Sequence, residues 1–123
     1  MTPDEAFAAF VRDHIRTNWG VELLMLLKRD PGRTWRPDEL VRELRGSSGI
    51  VGDSLNRFER AGLALQDEKG WRYAPAAPAL AKLCDDLETA YRQRPVAVLN
   101  LIARPEDPIR TLADAFKFKG GGQ

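Results

Sequence analysis

The stretch Gly46-Ser-Ser-Gly-Ile-Val-Gly-Asp-Ser-Leu-Asn-Arg-Phe-Glu-Arg-Ala-Gly62, continuing into Leu63-Ala-Leu-Gln-Asp-Glu-Lys-Gly-Trp-Arg-Tyr73, decides the fold. Val51, Leu55 and Phe58 recur at i, i+4 and i+7, the spacing that lines one face of an α-helix. Ser47 or Ser48 is placed to cap its first turn, and Gly62 to close it. Directly after the closing glycine, Leu63–Gln66 and Trp71–Tyr73 read as two short strands. The intervening turn, Asp67 to Gly70, makes them a β-hairpin. Val51, Leu55, Phe58, Leu63 and Leu65 are expected to face inward, with Leu24 and Leu40 against them.

Upstream, Pro37 stands at a first helical position with Asp38 and Glu39 in the first turn, which suits the helix dipole. Leu40, Val41 and Leu44 give that helix a buried face, and Gly46 is the expected left-handed cap. Thr34-Trp35 has the composition of a single short strand. Before it, Asn18 is the expected N-cap of a helix running through Leu27, apolar almost all round and therefore buried on most sides. Asp30-Pro31-Gly32 stops it with turn residues. Phe7, Phe10, Val11 and Ile15 trace one face of a first helix, with His14 at its edge.

Downstream, Pro75 and Pro78 mark a break, and Leu80, Leu83, Cys84, Leu87 and Tyr91 trace another amphipathic helix. Residues 96–103 carry β-branched side chains that suit a strand. Pro95 and the Leu99/Ile102 spacing suit a helix, and helix is the assignment taken, because no partner strand lies nearby. Asp107-Pro108 reads as a cap before a further helix with Ile109, Leu112, Ala113 and Phe116 on one face. Residues 119–123 have the composition of a flexible tail.

The order helix, short strand, helix, tight turn, helix, hairpin resembles the winged helix-turn-helix superfamily, such as the MarR-like bacterial transcriptional regulators. The resemblance is carried by Pro37-Asp-Glu-Leu-Val-Arg-Glu-Leu44, Gly46-Ser-Ser-Gly49, Leu55-Asn-Arg-Phe-Glu-Arg-Ala-Gly-Leu63 and Gln66-Asp-Glu-Lys-Gly-Trp-Arg-Tyr73. It implies a mainly α fold with a small β-hairpin, a winged helix-turn-helix plus a helical C-terminal extension. The corresponding divisions are an N-terminal helix (1–17), the winged unit (18–75), the extension (76–118) and the tail (119–123). The implied function is that of a DNA-binding transcriptional regulator whose third helix enters the major groove of double-stranded DNA. The inward positions leave Gly49, Gly52, Asp53, Asn56, Arg57 and Arg60 facing outward. Arg57 suits guanine and Asn56 adenine, while Arg60 is placed for a phosphate. Ser47 and Ser48 at the helix start suit a phosphate. Lys69 and Arg72 on the hairpin would meet the backbone or minor groove. The Leu80–Tyr91 stripe is the expected seam with a second copy, giving a homodimer for a two-fold operator; the alternative is that it folds back on the winged unit.

Charge argues for a second class of partner. The chain has a net charge of +1, where strong nucleic-acid binders show a basic excess or patch. From Arg33 to Tyr73 eight basic residues face seven acidic ones, Asp53, Glu59, Asp67 and Glu68 among them. A protein-binding winged helix, acting as adaptor or antagonist of a transcription complex, is the competing expectation.

Other classes find no footing. One histidine and one cysteine leave no metal-binding cluster and no intramolecular disulfide. Asp85 and Asp86 are adjacent on a helix and point apart. Gly46–Gly52 lacks the lysine of a phosphate-binding loop. Cys84, on an apolar helix face, reads as a buried small hydrophobe. Trp19, Trp35 and Trp71 read as packing residues rather than a ligand pocket. The expectation is a non-enzyme without cofactor or membrane partner. With no signal-peptide pattern at the N-terminus, it is placed in the cytoplasm.

Overall fold

The computed structural model describes residues 3–103. Its order is α1 (Pro3–Phe10), a π-helical turn (Val11–Ile15), α2 (Asn18–Arg29), α3 (Pro37–Leu44), α4 (Ser48–Ala61), β1 (Ala64–Asp67), β2 (Gly70–Tyr73), α5 (Pro78–Gln93) and α6 (Pro95–Ala103). Among the described residues it is mostly helical, with one two-stranded antiparallel sheet. The helix expected at 107–116 and the tail at 119–123 lie outside the described residues.

Local chemistry explains most boundaries. Thr17, not Asn18, caps α2, its hydroxyl accepting from Gly20 N at 2.8 Å. Asn18 is the first helical residue, so its side chain is past the position that can cap. Ser47 caps α4 by accepting from Ile50 N at 3.1 Å. At the far end of α4, Gly62 takes the left-handed conformation (φ 79°), and Leu63 N donates to Phe58 O at 2.8 Å. On α3, Glu39 accepts from the Arg36 backbone N–H at 2.8 Å. The left-handed residue that ends α3 is Arg45 (φ 56°) rather than the expected Gly46. The helix stops one residue early, and Gly46 instead lies against the indole of Trp19.

The first helix does not run straight to Ile15. Arg16 N reaches back to Val11 O at 2.8 Å, and the widened turn buries Val11 and Ile15 together. Arg16 then reverses the chain at φ 67°. The reversal brings Ile15 O so close to α2 that a Cβ on Gly20 would stand 2.2 Å from it. Only glycine fits there.

The hairpin pairs Ala64 with Tyr73, Leu65 with Arg72, Gln66 with Trp71 and Asp67 with Gly70. Asp67 holds the turn, its carboxylate accepting from Lys69 N and Gly70 N. Trp35 adds a one-residue third strand, exchanging backbone hydrogen bonds with Trp71 at 2.6 and 2.7 Å. Gly70 permits this approach, since a Cβ there would overlap Trp35 O.

The core joins α2, α3, α4 and the hairpin through Leu24, Leu27, Trp35, Leu40, Leu55, Phe58 and Leu63. Leu65, expected inside, is 46% exposed. Side chains alternate along a strand, and Leu65 shares the outward face with Arg72. Helix α5 closes the other side. Cys84 and Leu87 are fully buried, and Leu80, Leu83 and Tyr91 pack on the same core. Of the stripe expected to meet a second copy, Cys84 and Leu87 are covered within the chain and Leu80, Leu83 and Tyr91 only in part. Lys28 of α2 fastens α5 through Asp85 (2.8 Å) and Glu88 (2.6 Å), and Tyr91 donates to Glu22. Asp86 points elsewhere, to Lys82. Residues 95–103 form a helix as assigned, anchored by buried Val98. No described helix is long and apolar enough to cross a membrane.

Candidate nucleic-acid interface

Burial of Val51, Ser54, Leu55 and Phe58 turns the opposite face of α4 outward. Ser48, Gly49, Asp53, Asn56 and Arg60 are exposed along it, and Gly52 is half-exposed. Among the described residues, and setting aside the backbone of the helix itself, nothing stands within 4 Å of a Cβ built on Gly52, and on Gly49 the nearest atom is the Ser47 hydroxyl at 4.0 Å. A glycine inside a helix costs about 1 kcal/mol relative to alanine. Internal packing requires neither of these two, and together they leave the first half of α4 low and open. The Ser48 and Gly49 N–H groups belong to the first turn, where no helical carbonyl can accept from them. The Ser47 oxygen accepts from Ile50 N as the helix cap, which leaves its O–H as a donor.

Arg57 is not where its spacing suggests. Its guanidinium turns back toward the π-turn. Nε donates to His14 O at 3.1 Å, and Nη2 donates to Ile15 O at 3.1 Å and Ser54 Oγ at 3.3 Å. Burial, then the neighbouring charges of Arg16 and Arg60, lower its pKa. The side chain expected to reach guanine is thus engaged inside the protein, where it ties α4 to the π-turn. Its position is lateral to the buried stripe, so a long side chain there can reach either solvent or the adjacent element.

The hairpin residues divide likewise. Arg72 is paired with Asp67 at 3.2 Å, which neutralises it. Lys69 at the tip is exposed and has no ion-pair partner among the described residues. Three further groups beside α4 escape sequence reasoning. Arg45 is exposed in the turn before it. Arg16 lines a cavity of about 260 Å³ with Asp13, His14, Arg57, Arg60 and Ala61. Trp19 (36% exposed) lies over Gly46, and Ile50 (40% exposed) sits in the first turn of α4, leaving apolar surface around that turn. Only the left-handed conformation of Arg16 and Arg45 brings the first two there, and no sequence pattern signals it.

A larger groove of about 520 Å³ lies between α2, α3 and α5, floored by Met25, Leu26 and Leu44 and rimmed by Glu22, Arg29 and Tyr91. Cys84 is buried, and desolvation pushes its thiol up to about 11, away from the reactive thiolate. No group of three metal-ligating side chains occurs among the described residues. No family model, curated protein or solved structure matches the chain.

Proposed function

We propose that the chain is a winged helix-turn-helix regulator that lays α4 in the major groove of double-stranded DNA. The observation that carries this reading is the outward face of α4, where Gly49 and Gly52 keep a low surface that no contact among the described residues requires. Such a surface allows a close approach of the helix to base edges. Asn56, exposed in mid-helix, has the amide that pairs with adenine. The first-turn N–H groups of Ser48 and Gly49 suit a phosphate. Arg60 and Lys69 supply backbone contacts on either side. Asp53 opposes phosphate unless it accepts from a cytosine amine. Pairing of two copies on a two-fold site falls to surface other than the Leu80–Tyr91 stripe; Val96 on α6, 68% exposed, is one such apolar residue. A cytoplasmic location accompanies this reading.

A second reading is favoured by the exposed Trp19 and Ile50 beside a nearly neutral unit: the same end of α4 docks a protein. Titration of labelled genomic fragments at two salt concentrations separates the two. DNA binding must weaken steeply with salt, because displaced counterions set the slope. Gly52→Leu, which raises the surface without touching the core, should abolish sequence preference while leaving the fold intact. Absence of DNA binding at low salt moves the function to the protein partner.

A further inference from the structure

We propose that the cavity between the π-turn and the C-terminal half of α4 holds a phosphate group, gripped by Arg16 and Arg60 in front of the anchored guanidinium of Arg57. Three observations converge there. First, Arg57 spends Nε and Nη2 on His14 O, Ile15 O and Ser54 Oγ. Its Nη1, with two donors, has no hydrogen-bond partner among the described residues. A guanidinium locked on one side and open on the other is preorganised for an oxyanion. Second, Arg16 occupies the positive-φ region (φ 67°, ψ −32°) at the chain reversal. Glycine would serve the reversal with less strain, and strain of this kind concentrates at binding sites. Third, folding gathers Arg16, Arg57 and Arg60 around one cavity, and none of the three has an ion pair among the described residues.

The opposing charges are Asp13, which lines the cavity, and Asp53, one turn before Arg57 on α4. They leave three guanidiniums against two carboxylates, an excess that a phosphate would satisfy. The phosphate can belong to a DNA backbone or to a small phosphate compound. Only the first source rests on the DNA reading above.

The test uses inorganic pyrophosphate at ionic strength balanced with chloride, followed through the arginine side-chain Nε resonances, and a labelled duplex at two salt concentrations. The variants are Arg16→Gln, Arg60→Gln and Asp13→Asn. Neither arginine side chain has a hydrogen bond or ion pair among the described residues, so both glutamine variants should stay folded. Each should weaken pyrophosphate binding about tenfold, the loss of one charge-assisted contact, and Asp13→Asn should strengthen it. Strengthening by Asp13→Asn is a result that misfolding does not produce. If the glutamine variants also weaken duplex binding and reduce its salt slope by about one, the phosphate is the DNA backbone's. If pyrophosphate binds in this pattern and the duplex does not bind, the site stands and the DNA reading falls. If the duplex binds and all three variants match wild type on both probes, the phosphate site is overturned and the DNA reading survives. If pyrophosphate perturbs the resonances no more than chloride and no duplex binds, both fall.

Discussion

Arg57 offers the sharpest test of the architecture, because spacing assigns it to an external ligand and the structure assigns it to the fold. Arg57→Ala removes two charged hydrogen bonds to the carbonyls of His14 and Ile15, at 3.1 Å each. A hydrogen bond with a charged partner contributes about 1.5–3 kcal/mol net. The residue is only half-buried, so the lower end applies, about 3 kcal/mol for the pair. Relief of repulsion with Arg16 and Arg60 returns part of it, under about 1 kcal/mol for exposed charges. Ile15 O keeps Thr17 N as a donor, whereas His14 O loses the Arg57 bond. The expected loss is therefore about 2 kcal/mol, read by urea unfolding followed by circular dichroism. Arg57→Lys keeps the charge but not the fork that spans two carbonyls, and should fall between, at about 1 kcal/mol. An Arg57→Ala variant within about 0.5 kcal/mol of wild type, the range of an ordinary surface change, would refute this account of Arg57.

Three further outcomes follow from the same geometry. Gly20→Ala puts a Cβ on top of Ile15 O and should destabilise by about 1–3 kcal/mol; thermal unfolding of the single variant checks it, and a wild-type midpoint would refute the close approach of the π-turn to α2. Arg45→Gly releases the left-handed strain of a non-glycine residue, worth about 1 kcal/mol, so its denaturation midpoint should rise, unless Arg45 is not left-handed. Cys84 has a folded pKa of about 11 against an ordinary 9.0. Below pH 9 both states hold the proton and the contribution is fully present. Between about pH 9 and 11 the unfolded chain ionises first, and stability should fall by on the order of 2 kcal/mol. Cys84→Ala should flatten that part of the stability–pH curve, and an unchanged slope would assign the loss to other groups.

Much of the fold is legible in the sequence because its signals are local. The Val51–Leu55–Phe58 spacing, the serine before it and the glycine after it determine α4 with its ends, since periodicity, capping and left-handed closure act within a few residues. The hairpin is equally local: Asp67 and Gly70 make the turn, and the apolar runs flank it. The burial of Cys84 follows from pattern, while at 95–103 the pattern suits strand and helix alike and the lack of a nearby partner strand decides for helix.

Tertiary contact decided the remainder. Helical spacing leaves Arg57 at the edge of the buried stripe, and only the position of the His14 and Ile15 carbonyls says that its guanidinium turns inward. Alternation puts Ala64 and Leu65 on opposite faces of β1, but which face meets the core depends on where Trp35 and Trp71 stand, and so Leu65 lies outside. An apolar stripe on α5 needs a cover, yet its periodicity does not say whether a second copy or the same chain supplies it; packing against α1 and α2 does. Arg16 and Arg45 lie beside α4 through positive-φ turns that their residue type does not favour. Sequence patterns record what each segment must hide, while the choice of what hides it belongs to contacts between residues tens of positions apart, which short-range chemistry does not encode.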